Sequence, residues 1–506
     1  MNTTFRKHRD WPILFLAVFF SVGQITAVYS QTNVLNPNLK ISSTLPPAAS
    51  LLFSKDFIVS RDLNAVSQAA NGKVSSKGNA KRGLDLILNK RYLPPDFDQE
   101  TFDSIWMVWP DKLRRLALSA SDQKRLQMAF DRYGFTPREN DPLKPLQYVV
   151  DNEGKWSMNC FACHGGRLYD NRQSFPGLPN NRIALETLYE DIRAIKRKLK
   201  KPFSGMDIGS AIIPMGTTAG TSNAVIFGVS LMAFRDSNLD LKSVVIPPYV
   251  IHHDMDAPPW WHYKRKKMIY IDGFTEKHHR GLMPFIMVKQ NHGERFRGFE
   301  DDFVHIQEFI LNVETPKFRG SINRSLAAKG KKIFQSNCQN CHGSYGSPST
   351  FPEKTIELDE IETDPVRLKA LSKNYRQRYG KSWLADFGKS KTVIDPVGYV
   401  APPLDGIWAS APYFHNGSVP TLRGVIQPSQ RPTVWAWEEG TMDLKRMGLK
   451  VIELPEDSPH LHPSEAAKKR LIFDTRRYGK SNQGHEFGSL LSDTQSLQLL
   501  EYLKTL

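Results

Sequence analysis

The chain has 506 residues, with 68 Lys and Arg against 52 Asp and Glu, 40% hydrophobic residues and four cysteines. It is long enough for two or three domains, and a charged fraction of 24% excludes a wholly disordered protein. No heptad or short internal period runs along it, which excludes coiled coils and solenoids.

The N-terminus carries Arg6, Lys7 and Arg9, then 12 mostly apolar residues from Trp11 to Val22, then Val28-Tyr29-Ser30 before Gln31. That order predicts a signal peptide over residues 1–30 and a periplasmic or secreted protein that is not integral to a membrane. The apolar stretch falls short of the roughly 20 residues of a membrane span, with an uncleaved anchor as the alternative. Removing residues 1–30 takes away three positive charges and one negative, and lowers the formal charge from +16 to +14. Export argues against nucleic acid as a partner and turns that charge toward anionic surfaces, acidic redox proteins and cofactor carboxylates. Residues 31–89, rich in Ser, Asn and Ala in their first part, read as a linker or strap.

Four cysteines in an exported protein first suggest two disulfides. Their spacing points elsewhere. Cys160-Phe161-Ala162-Cys163-His164 and Cys338-Gln339-Asn340-Cys341-His342 are two copies of C-x-x-C-H with no cysteine left over. In this pattern two thiols add to the vinyl groups of one haem, and the adjacent imidazole binds its iron. A zinc site would need further Cys or His at fixed spacing, and a thioredoxin-like motif a βαβ context. Two covalent haem c groups are therefore expected, attached at Cys160, Cys163, Cys338 and Cys341, with His164 and His342 on the irons.

After the first motif, a helix is predicted from Arg182 to about Lys200, with Ile183, Leu185, Leu188, Ile192, Ile195 and Leu199 on its apolar stripe. Lys196, Arg197, Lys198, Lys200 and Lys201 form a basic face that is either solvated or docks an acidic electron-transfer partner. Lys264, Arg265, Lys266 and Lys267 form a second such run. The segment from Asp254 to Met287 around it holds Trp260, Trp261, Tyr270, Phe274, His278, His279 and Met283. The aromatics either line a haem face or simply cover porphyrin, and the two His, in a polar run with Lys277 and Arg280, are expected to face solvent.

Ahead of the second motif, Ser325 to Phe334 reads as a helix with Leu326, Gly330 and Phe334 on one face. Ser492 and Asp493 cap a final helix carrying Leu499, Tyr502, Leu503 and Leu506. This pair resembles the crossing N- and C-terminal helices of small cytochromes c, with Gly330 permitting close approach.

The run Ala401-Pro402-Pro403 to Thr421-Leu422, containing Ala411-Pro412-Tyr413-Phe414-His415-Asn416-Gly417-Ser418, resembles the A-P-Y-x-H-x-G-S stretch of the bacterial dihaem cytochrome c peroxidase superfamily. With Gly484-His485-Glu486-Phe487-Gly488 and the terminal Glu501-Tyr502-Leu503, it is most similar to the dihaem rubber-oxygenase branch. The resemblance implies a mainly α fold of two c-type cytochrome domains, residues 90–319, enlarged and divergent, and residues 320–506, with haems close enough to exchange electrons. It implies His485 as sixth ligand of the second haem, with Met442 and Met447 as runners-up. His415 reads as a core histidine near a haem propionate. For the first haem, Gly177-Leu178-Pro179-Asn180-Asn181-Arg182 stands where peroxidases carry a distal His, and no His lies between His164 and His252. The branch leaves this haem free for dioxygen and uses a Trp and a Phe nearby, which makes Trp260, Trp261 and Phe274 the candidate catalytic residues.

Three functions follow from these readings. One is a dihaem oxidoreductase that takes electrons from a small redox protein and acts on peroxide or dioxygen. Another is a pure electron carrier with both irons six-coordinate. The last is a dioxygenase that cleaves an unsaturated, apolar polymer or lipid.

Overall fold

Helix Arg324–Asn337 crosses helix Asp493–Leu503 with no side chain between them: a Cβ on Gly330 would come within 1.9 Å of the Gln498 carbonyl oxygen. Asn323 caps the first helix through the Leu326 amide, and Ser492 and Gln495 close a reciprocal capping box on the second. Ala327, rather than Leu326, joins Gly330 and Phe334 on the buried face, and Phe334 packs on Tyr502 with ring centres 5.2 Å apart. Gly330→Val is expected to destabilise the protein by about 3 kcal/mol, because the branched side chain meets backbone that cannot yield. Urea unfolding reads this directly, and an unchanged midpoint would refute the close crossing.

These features belong to a computed structural model that describes residues 78–168, 174–242, 251–458, 461 and 465–506. The expected signal peptide and the strap up to residue 77 lie outside the described residues. The last part of the expected strap is helix Ala80–Asn89, which buries Ile87 and lays Gly83 against the His305 carbonyl of helix Glu300–Leu311. Helix predominates, alongside five small sheets of two or three strands among the described residues.

One core, formed between residues 97 and 215, is aromatic. Strands Phe97–Asp98, Lys155–Met158 and Tyr148–Val150 pair antiparallel and stack Trp156 on Phe102 at 4.2 Å. Helix Leu185–Lys198 closes this core with Leu185, Leu188, Ile192 and Ile195, the stripe expected from its periodicity. Its basic face is not uniformly solvated: Lys196 is 4% exposed, paired with Asp207 and donating to the Asp96 carbonyl at 2.6 Å. The partner groups arrive from elsewhere in the chain, so helical periodicity could not reveal them.

A second, larger core runs from Ile87 and Phe161 to Leu503 and takes residues from both C-x-x-C-H segments, and residues 77–506 form one unit. Strands Val434–Asp443, Gly448–Glu453 and Ile472–Asp474 add a three-stranded antiparallel sheet against it.

His278 and His279 correct the expectation of solvent exposure: they are 4% and 5% exposed. His279 meets the Glu300 carboxylate at 2.8 Å, Arg280 lies over Trp383 at 3.9 Å, and Phe387 covers both imidazoles. The second basic run also divides. Arg265 pairs with Asp405 at 2.9 Å and lies over Tyr345, whereas Lys264 and Lys267 stay exposed.

Candidate functional site

Each C-x-x-C-H motif makes a single helical turn, Phe161–His164 and Gln339–His342, which sets its two thiols one turn apart with the imidazole next to the second. None of the four cysteines is in a disulfide. Among the described residues, no cluster of three or more His, Cys, Asp or Glu can hold a bare metal ion, so neither motif has the additional ligands a structural zinc needs.

The first turn is laced into place by its own backbone. His164 accepts from the Gly177 amide at 2.7 Å and Cys163 from the Asn180 amide at 2.9 Å, while the buried Asn180 side chain donates to the Ala162 and Gly134 carbonyls. The segment Gly177 to Asn181 therefore clamps the motif. Gly177 is required there: it has φ +90° and its Cβ direction points at Val313 and Trp260. The His164 ring stacks on Trp260 at 4.9 Å, and its Nδ1 is buried without a hydrogen-bond partner, facing the backbone of Pro258. Burial holds the His164 pKa down at about 4, which keeps the imidazole neutral, the form that binds a metal. Burial pushes the Cys160 and Cys163 thiols up to about 11.

At the second turn, the His342 Nδ1 contacts the Pro402 carbonyl at 2.7 Å, which fixes the ring and turns its other nitrogen inward. Facing it is His485, with ring centres 6.3 Å apart. Two imidazoles on opposite sides of one metal, at about 2 Å per bond and with about 1 Å from ring nitrogen to ring centre, would stand about 6 Å apart. The pair fits a single iron between them. Burial holds the His485 pKa down at about 4, and its Nδ1 is buried without a partner. Its backbone, at φ 55°, is pinned by a bond from its amide to the Ile361 carbonyl, and neighbouring Gly484 has no room for a Cβ against Glu362. Arg431 ties the same loop down by donating to Asn482 and Gly484 at 2.6 and 2.8 Å. Arg431→Gln is expected to cost about 2–3 kcal/mol and to loosen His485, visible as a rise in the ligand-binding haem fraction. An unchanged spectrum and stability would remove Arg431 from this role.

The other expected residues fall as follows. Trp260 lies beside the first imidazole. The fully buried Trp261 donates to the Asp405 carbonyl at 2.6 Å, and His262 meets the same carbonyl at 2.8 Å. Asp405 is three residues past Pro402, so the turn Trp260–Arg265 joins one C-x-x-C-H site to the other. Phe274 stacks on Tyr270 at 4.8 Å and meets Tyr379 edge-on. Met442 and Met447 sit on the hairpin after residue 434, and His415 packs on Tyr399 at 4.7 Å. The sequence reading missed Pro258 and Pro402 as the backbone facing the two imidazoles. The signal was present, since Ala-Pro-Pro occurs at 257–259 and again at 401–403. It also missed Arg431 and His262, for which no local signal exists.

A family described as RoxA-like, cytochrome c-like matches residues 398–436, the stretch holding Pro402, Phe414 and Arg431. The chain contains a cytochrome c-like domain. Three relatives overlap it in part. An uncharacterized protein of Sinorhizobium fredii, y4iJ, is 26% identical over 249 residues, 37% of this chain and 40% of the relative. A second from the same organism, y4iM, is 25% identical over 239 residues, 40% of this chain and 53% of the relative. The cytochrome c peroxidase Ccp of Escherichia coli is 31% identical over 134 residues, 24% of this chain and 25% of that protein. The chain thus spans about half or less of each. Together these matches make the chain similar in part to cytochrome c-like domains and to a cytochrome c peroxidase, proteins whose cofactor is haem c. Among the described residues, no helix is long and apolar enough to cross a membrane.

Proposed function

We propose that the chain is an exported dihaem c-type cytochrome in which one haem relays electrons and the other reacts with peroxide or dioxygen. His342 and His485 would hold the relay haem, while Cys160, Cys163 and His164 would hold the reactive one. The observation that carries this reading is the contrast between the two imidazoles: His342 faces a second histidine at 6.3 Å, whereas among the described residues the aromatic ring packed against His164 is Trp260. Bound haem supplies one-electron exchange and an iron position open to small oxidants. The protein supplies neutral imidazoles, a rigid clamp on each motif, and in Trp260, Trp261 and the Asp405 carbonyl a packed connection between the sites. Electrons enter from a small redox protein.

The match of residues 398–436 to RoxA-like domains favours a second reading, a dioxygenase that cleaves an unsaturated polymer or lipid. Two incubations separate the readings: peroxide with reduced cytochrome c, and polyisoprene under oxygen. Turnover in the first supports the peroxidase-like function and oxidative cleavage in the second the dioxygenase. No turnover in either, with two haems that ignore added ligands, would leave an electron carrier.

A further inference from the structure

Two guanidinium groups, Arg367 and Arg376, are 1% and 3% exposed, and both reach for the single buried carboxylate of Asp272. Arg376 has Asp272 at 2.6 Å and the carbonyls of Leu371 and Leu368, although its Nε too is buried with no partner. Arg367 has less. It touches Asp272 only at 3.3 and 3.5 Å, and its Nε is buried with no partner. A guanidinium has five N–H donors and keeps its charge at any ordinary pH, so a buried one left this way is costly unless an acceptor arrives.

The neighbouring carboxylates are already engaged. Asp364 accepts from the Val366 and Ser481 amides, and Asp254 pairs with the buried Lys480. The two nearest imidazoles add no anion: burial, reinforced by the Arg367 charge, holds His415 at about 3 and His253 at about 4. His415, Tyr270 and Tyr375 are half-buried and stand close enough to Arg367 to feel its charge.

The surroundings indicate which acceptor. Tyr399, whose hydroxyl donates to the Asp364 carbonyl and whose ring packs on His415, precedes by three residues the Pro402 carbonyl at His342. On the other side, Phe414 lies 6.1 Å from His485, and Ser481 is four residues before it. The segment that holds His342 through Pro402 and the one that carries His485 thus both reach Asp364, three residues before Arg367. We propose that Arg367, flanked by Arg376 and His415, binds a carboxylate of the haem attached at Cys338 and Cys341. This assignment rests on the two-haem reading above.

The test is spectroelectrochemistry of the low-spin haem in intact protein carrying two haems. Arg367→Gln is expected to lower its midpoint potential with both haems retained, because an uncompensated carboxylate favours the ferric state, and Arg367→Lys is expected to restore most of the shift. An Arg367→Gln protein with two haems and an unchanged potential would overturn the assignment. Should Arg367→Gln fail to fold, the resonance Raman propionate bending band of Arg367→Lys decides instead: a shifted band supports the contact and an unshifted one rejects it. Adding inorganic phosphate to the wild-type protein distinguishes a free anion from a haem carboxylate. No change in potential is expected, and a shift that Arg367→Gln abolishes would make this a free-anion site. A protein with a single haem would instead overturn the two-haem reading itself.

Discussion

His485→Ala should turn the second haem from ligand-insensitive to ligand-binding. With His485 opposite His342 at 6.3 Å, alanine removes one of two imidazoles without disturbing the C-x-x-C-H turn, because the loop remains anchored by Arg431 and by the bond from the residue 485 amide to Ile361. The expected result is complete conversion of one haem to a form that binds carbon monoxide on reduction. The alternative ligands, Met442 and Met447, lie on a hairpin, and Met447 is engaged there: its carbonyl accepts from the Leu422 amide. A low-spin spectrum unchanged by His485→Ala would refute the assignment. A new low-spin form would mean that a methionine had taken the vacated place.

Replacing Cys160 and Cys163 together by serine should lower the covalent haem content from two per chain to one. The clamp of Gly177, Asn180 and Trp260 would then surround an unfilled space in the larger core, and filling that space is worth far more than any one contact to the lacing backbone. The variant should therefore also unfold more easily by about 3–5 kcal/mol. Haem stain on the denatured chain reads attachment separately from folding. An undiminished stain would contradict the role of these two thiols.

The parts of this molecule legible from its sequence are those written locally. C-x-x-C-H confines its chemistry to five residues. The terminal helix pair shows itself through a glycine at the crossing and capping residues at the helix starts, and both reappear in the fold. His485 was reached through a motif, and the fold brings it to His342. What the sequence hid depends on distant groups. Lys196 reads as one of five solvated charges, yet Asp207 and the Asp96 carbonyl draw it inward. His278 and His279 read as exposed because their neighbours in sequence are polar, whereas Phe387 and Glu300 come from about 108 and about 20 residues away in the chain. Phe274 is a candidate through the family resemblance alone, and the fold packs it on Tyr270 and Tyr379, contacts that no local pattern announces. Nor could residue patterns show that both motifs share one core.

The most direct measurement of the central claim, one closed and one open haem, is a carbon monoxide titration of the fully reduced protein against its covalent haem content. The expected stoichiometry is one carbon monoxide per two haems, rising to two in His485→Ala. Binding of none or of two by the wild-type protein would contradict the asymmetry between His164 and His342 on which the proposed function stands.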